Sequence, residues 1–351
     1  MSTLLFLLFM VALRENPGFP YPDFTLQIYP ETVMPGDTLY IKIVANNPHG
    51  ESIYISDNLS PTHRDIQTCL RDSKNQEQPL LFESPMLFDG DRIIYYVEIK
   101  PGDLRIITAL AVNVPPIEDL KEPFWEKHLK SLPAKNEKFL INVTVISYLS
   151  TNGHYRYNNE ELPLMIETSL AMKPRPEKEM ELIRKWYESQ HPYFPGSEKY
   201  GKRGMYSFKS RLPKNTAIKN EKFSHWYFVR VGNRYPSESN VPETWQGWKE
   251  LEESLTSSTM RDEIRLTRIL IQYCDTEDDA VLKELKDWFD TMNEVQRTVM
   301  AKSLRDRAEG TYGNKELLPP FREIYKTIRE YDVVPIPESN VKHLQNLGLI
   351  E

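Results

Sequence analysis

The chain has 351 residues, of which 40% are hydrophobic and 27% charged, with a formal net charge of −7. That length accommodates two cores, and that balance excludes global disorder. Twenty-six prolines against 14 glycines suit stiff connections between strands and leave little glycine for phosphate-cradling loops.

Leu4 to Leu13 form a continuous apolar run of ten, LLFLLFMVAL, followed by Arg14-Glu15-Asn16-Pro17. A helix needs ~20 residues to span a bilayer, so the run matches the apolar core of a secretory signal, with cleavage near Ala12. Only the amino terminus supplies positive charge before it. The competing assignment is a buried first strand or helix. Export is the expectation, to the secreted, periplasmic or cell-envelope space.

From Phe24 to about Tyr148 the apolar residues alternate, as in strands. Phe24, Leu26 and Ile28 alternate with Thr25, Gln27 and Tyr29, and Pro30 ends the strand. Met34-Pro35-Gly36-Asp37 turns the chain, and Leu39, Ile41 and Ile43 then share one side, opposite Thr38, Tyr40 and Lys42. Asn46-Asn47-Pro48-His49-Gly50 signals a turn before a strand near Ile53–Ile55. Arg92–Ile99 and Asp103–Val114 flank Lys100-Pro101-Gly102 as a hairpin or a tight strand connection. Ile106–Val112 is almost continuously apolar, the mark of a strand covered on both faces. Phe139, Ile141, Val143 and Val145 close the set, after an insertion opened by Pro115-Pro116 in which Glu122–Leu132 has helical character.

About seven short strands in this span predict a sandwich. The run from Pro35 to Asn47 (PGDTLYIKIVANN) resembles the opening hairpin of bacterial extracellular immunoglobulin-like domains. There a proline-glycine-acid turn leads into a strand ending in asparagine. The resemblance covers about 25 residues closely and about 125 loosely, and it implies a fold without implying an activity.

Residues 151–176 read as a linker with one short strand near Leu164–Thr168, and Pro174 and Pro176 prepare a helix start. Glu177–Gln190 then carries Met180, Ile183, Trp186 and Tyr187 on one face. Between Lys199 and Arg234 stand ten Lys or Arg against the single acid Glu221, a local charge of +9; with −7 for the whole chain, −16 is left elsewhere. Tyr200, Tyr206, Phe208, Phe223, Trp226, Tyr227 and Phe228 interleave with these cations. Three assignments compete: a solvated loop and strand packed on the acidic remainder, a site for an anionic polysaccharide or envelope partner, and nucleic acid, which matches no named module and is not expected. The candidate binding residues are Lys202, Arg203, Trp226, Tyr227 and Arg230.

Beyond Pro242 the period is helical. Helices are expected through Trp245, Trp248, Leu251 and Leu255, over Met260–Cys274, and through Val281, Leu282, Leu285, Trp288 and Phe289. The third is introduced by a near capping box at Thr276-Glu277-Asp278-Asp279. Val295, Val299 and Leu304 mark another, ended around Gly310 and Gly313, and Pro320–Tyr331 the last. The fold class expected is thus α+β and multidomain, an immunoglobulin-like antiparallel β-sandwich followed by a bundle-like helical domain. Its divisions are 1–16 (signal or apolar segment), 22–150 (sandwich), 151–176 (linker), 177–241 (mixed basic and aromatic) and 242–351 (helical).

No catalytic set stands out. His63-Arg64-Asp65 lacks the other kinase motifs, and Gly201-Lys202-Arg203 lacks the rest of a phosphate loop. The seven histidines are scattered without metal-ligand spacing, and Cys69 and Cys274 fall in different predicted domains. No catalytic residue, metal or cofactor is therefore expected. Asn58-Leu59-Ser60 and Asn142-Val143-Thr144 satisfy the glycosylation pattern. The function expected is non-catalytic binding or scaffolding in the envelope or outside the cell. The alternative is a polysaccharide hydrolase using two close carboxylates in a cleft between the domains.

Overall fold

The computed structural model describes residues 22–56, 66–75, 77–79, 81–82, 96–114, 135–150, 161–181, 245–310 and 318–351. Within them the chain is mixed α+β, with sheets first and helices after. The strands are β1 (Asp23–Tyr29), β2 (Thr32–Val33), β3 (Thr38–Asn46), β4 (Ile53–Ser56), β5 (Ile66–Arg71), β6 (Glu77–Pro79), β7 (Leu81–Phe82), β8 (Tyr96–Ile99), β9 (Leu104–Asn113), β10 (Glu137–Ser150) and β11 (Glu161–Met172). One sheet runs β1-β3-β9-β7. The other runs β2-β11-β10-β4-β8, with β5 added on β10 and β6 on β5. Every pairing is antiparallel except the short β2–β11 contact.

The alternation read from sequence sets the two faces of β3. Leu39, Ile41 and Ile43 enter an apolar core shared by both sheets, together with Ile55, Leu70, Val112, Ile141, Val143 and Leu170. Tyr40 faces the opposite way and joins the core of the helices. On β9 the same division holds: Ile107, Leu110 and Val112 face the sheet core, while Ala109, Ile106 and Ala111 face the helices. The near-continuous apolar character of β9 thus reflects two coverings, one by strands and one by helices. A register shift opposite Ile43/Val44 moves the phase of β9 midway, as a bulge does.

Two turns need glycine. In Met34–Asp37, Gly36 has φ 87° after a proline, and the Asp37 N–H donates to the Met34 carbonyl at 3.0 Å, the pattern of a type II turn. Gly102, at φ 78°, turns Lys100–Asp103 between β8 and β9.

The helices are α1 (Trp245–Ser254), α2 (Thr259–Thr276), α3 (Asp279–Thr291), α4 (Glu294–Gly310), α5 (Leu318–Ile328) with a 3₁₀ turn at Arg329–Tyr331, and α6 (Glu338–Asn346). Two of them bury clear stripes at helical spacing: Val281, Leu285, Trp288 and Phe289 in α3, and Phe321, Ile324, Tyr325 and Ile328 in α5. α2 is buried more broadly, because α1 and α3 pack on it and its first turns lie on β3; α4 covers β3 and β9 from the same side.

Three readings are corrected by these elements. Residues 151–176 do not simply link two units: Glu161–Met172 is a twelve-residue strand paired with β10 along its length. The near capping box does not begin at Thr276. That residue is the last of α2, Glu277 adopts φ 51°, and Asp278 is the cap of α3, accepting from the Ala280 N–H at 2.9 Å. The second glycosylation pattern is closed in the folded chain. Asn142 is 2% exposed, its amide oriented to donate to Glu167 Oε1 at 2.5 Å and accept from Arg71 Nη2 at 2.6 Å. Asn58, the kinase-like tripeptide, the insertion after Pro115, the apolar amino-terminal run and nearly all of 177–241 lie outside the described residues.

The shared core predicts a graded response. Ile141→Ala, at a side chain with no exposure, should lower unfolding free energy by about 2–5 kcal/mol in urea titration. Leu104→Ala, 72% exposed on β9, should stay within about 0.5 kcal/mol of the parent.

Candidate functional site: the charged junction between sheet and helices

The binding residues expected from sequence, Lys202, Arg203, Trp226, Tyr227 and Arg230, all lie outside the described residues. What the structure does bring together is a buried charge cluster where the four-stranded sheet meets the helices.

Its centre is Asp37. The turn before β3 aims this carboxylate inward, where it is 2% exposed. Oδ2 accepts from the Met34 N–H at 2.7 Å, closing its own turn. Oδ1 accepts from Arg175 Nη2 at 2.5 Å and from the Met260 N–H at 3.3 Å. Met260 is the second residue of α2 after the cap Ser258, so a carboxylate from the sheet takes a free N–H at the positive end of a helix more than two hundred residues later. Burial pushes Asp37 above the usual carboxylate range, against the pull of Arg175 and the two backbone donors.

Arg175 sits between Pro174 and Pro176, just after β11, with no side-chain exposure. Nε donates to the Pro35 carbonyl at 2.7 Å, Nη1 to Glu179 Oε2 at 2.8 Å, and Nη2 to Asp37. A planar guanidinium is the side chain that can serve three acceptors in fixed directions. The chain turns helical over 177–181, which places Glu179 one turn on. Glu179 Oε1 then accepts from the Thr256 N–H at 2.7 Å and from the Thr256 hydroxyl, between α1 and α2. Burial alone would raise Glu179, but Thr256 and Arg175 together hold it below the usual range.

Polar pairs continue across the same face. The Tyr40 hydroxyl donates to Glu263 Oε1 at 2.8 Å, and Lys42, 5% exposed along its side chain, reaches Glu294 Oε1 at 2.6 Å. The Lys42 hydrogen bond and charge hold Glu294 below its ordinary value. Asp262, half-buried in the first turn of α2, accepts from Gln296 Nε2 of α4 at 2.8 Å. Burial raises its carboxyl, and the charge of Asp37 adds to the effect.

A concavity of about 400 Å³ lies between α2 and α3, lined by Arg265, Lys283, Glu284, Asp287, Trp288 and Thr291. Its charges are matched internally: Lys283 with Asp287 at 2.5 Å and Arg265 with Glu284 at 3.4 Å, while the Arg265 guanidinium stacks 4.9 Å over Trp288. A groove so balanced has no net attraction for an ion. Among the described residues no three His, Cys, Asp or Glu side chains converge on a metal-sized space, and no helix is long and apolar enough to cross a membrane.

Sequence reasoning read Asp37 as a turn residue and passed over Arg175, Glu179 and Asp262. The one local hint was a cation pinned between two prolines, a position where the side chain has little backbone freedom to avoid its partner.

No protein-family model matches the chain, and no curated protein sequence matches it. Solved structures with local similarity include a putative late embryogenesis abundant protein, 14% identical over 49% of this chain and 83% of that one, with a TM-score of 0.26. The CARDB domain of a Pyrococcus furiosus protein, solved with di-metal ions, is 12% identical over 44% of this chain and 96% of its own, at 0.17. The E. coli chaperone DraB is 12% identical over 44% and 55%, at 0.19. Superpositions this loose bear on neither activity nor partners.

The junction predicts the effect of removing its cation. Arg175→Ala leaves Asp37 and Glu179 buried without their guanidinium and should cost about 3–5 kcal/mol in chemical denaturation. Lys283→Ala, which breaks an exposed pair, should cost less than about 1 kcal/mol.

Proposed function

We propose that this chain is an exported or envelope-associated protein whose work is binding or scaffolding, without catalysis. Its front half is read as an immunoglobulin-like β-sandwich, supported by antiparallel sheets that line one apolar core and by the Pro35–Asn47 turn and strand. The helices form a body fixed to that sandwich. The ligand class is an anionic polysaccharide or an envelope protein, met by Lys202, Arg203, Trp226, Tyr227 and Arg230. The supporting feature there is charge: +9 in 199–234 against −16 elsewhere, with aromatic faces for stacking.

The observation that favours a binder over the hydrolase is the state of the carboxylates at the junction. A glycosidase needs an acid and a base flanking a sugar in an open cleft. Asp37 and Asp262 do approach across the sheet–helix boundary, but Asp37 is enclosed and committed to Arg175, Met34 and Met260, and Asp262 to Gln296. Both act as structural acceptors, already engaged by the fold.

The test is retention of the full chain on an immobilised sulfated or uronate polysaccharide at low salt. The parent protein should be held and released by a salt step, since exposed charge contacts are screened within about 10 Å at 0.1 M. The double variant Lys202→Glu, Arg203→Glu should pass through unretained. Equal retention of the two would overturn the assignment of the basic segment.

A further inference from the structure

We propose that β1 pairs with β1 of a second copy of this chain, joining two four-stranded sheets edge to edge in an antiparallel dimer. The inference is independent of the ligand class argued above.

The starting point is the backbone. β1 closes one end of its sheet, and all seven of its residues pair with β3 in unbroken register, from Asp23 opposite Asn46 to Tyr29 opposite Tyr40. In such a ladder every second residue turns its N–H and C=O away from the neighbouring strand. Among the described residues nothing bonds to those outward groups: the turn and loop hydrogen bonds of the chain involve none of Asp23–Tyr29. A row of free donors and acceptors at strand spacing is a template for another strand.

Edges are ordinarily blunted by shortness, proline, charge or a bulge. The other terminal strands, β2, β6, β7 and β8, run to only two, three, two and four residues. β11 is longer, but it carries Glu161, Pro163 and Glu167, and β2 lies across its last two residues. β1 has none of these devices. Its sequence, DFTLQIY, contains no proline, glycine or lysine, and its one charge is at the first residue. Phe24, Leu26 and Ile28 pack against the sheet core yet remain half-buried, so a strand laid alongside would take further apolar surface from water.

The strand's own sequence makes a second copy the occupant. An antiparallel pair with its two-fold axis at Leu26 sets Leu26 opposite the partner's Leu26, Phe24 opposite the partner's Ile28, and Thr25 opposite the partner's Gln27. Apolar residues then meet on the core face and polar residues on the other. Asp23 falls opposite the partner's Tyr29, so the one acid does not face its own copy.

The experiment is the mass of the full chain by sedimentation over about 1 to about 100 μM protein. The parent should pass from monomer to dimer. Thr25 and Gln27 are exposed, so their charge can be changed without disturbing the core. Thr25→Glu with Gln27→Glu sets acids directly opposite one another across the two-fold axis and should leave a monomer throughout. Thr25→Lys with Gln27→Glu sets an ammonium against a carboxylate at the same places and should restore the dimer. Both variants share Gln27→Glu, which lies across from Lys42 within one chain, so its effect on the monomer is common to them. A dimer that survives the paired acids, or that the opposite charges fail to restore, overturns the pairing. A parent that stays monomeric also overturns it, and gives the edge to a strand from a different protein.

Discussion

The Asp37 carboxylate is the constraint on which the architecture turns. It closes the turn that launches β3, holds the guanidinium that follows β11, and accepts from the first turn of α2. Strand start, strand exit and helix entry are thereby fixed to one pair of oxygen atoms. A charge this deep is tolerated only when its lone pairs are taken up, and here three donors come from three separated parts of the chain. Arg175 completes the arrangement by reaching the carbonyl of Pro35 in the same turn, so both ends of the ion pair grip the loop that carries it.

Around this point the sheet–helix boundary is polar in a way a simple oily seam is not. Tyr40 and Lys42 leave β3 on the face that a free-standing sheet would turn to water, yet both are buried and each has a glutamate waiting on a helix. Apolar packing through Ala109, Val299 and Leu304 supplies attraction without direction. The charged pairs supply direction, because a guanidinium or ammonium that misses its partner by one turn of helix is left desolvated. Buried pairs of this kind add little net stability over well-packed apolar residues, and their sharper effect is on which of several similar seatings is adopted.

The strands with clean alternation and the helices with a stripe at three- and four-residue spacing were legible from sequence, as β1, β3, α3 and α5 show. Elements held by distant partners were not. Ile66–Arg71 places Thr68 between two inward apolar residues, diluting its signal, and exists because β10 offers it a register. Glu161–Met172 carries Pro163, Glu167 and Thr168 and reads as a connection until β10 pairs with it. α6 has only Val341 and Leu344 as apolar residues and no side-chain cap, and is held by the burial of Leu344, Leu347 and Leu349. The charged junction was least visible of all. Its members are separated by 138 and 223 positions, and nothing in a local window marks an arginine and an aspartate as neighbours. The basic segment was the opposite case, conspicuous in composition and outside the residues whose geometry is described.

The two faces of β3 bear on how this chain relates to its own parts. A strand that lends one side to the sheet core and the other to helices belongs to both bodies at once. The change of period near residue 242 therefore marks a change of secondary structure, with β3 contributing side chains to the apolar clusters of both the strands and the helices. A gene fusion that borrowed the strands alone would inherit a sheet with Tyr40 and Lys42 facing water and Asp37 bereft of its helix; one that borrowed the helices would inherit α2 with an uncapped amide at Met260. In modular terms, recombination has no clean joint here.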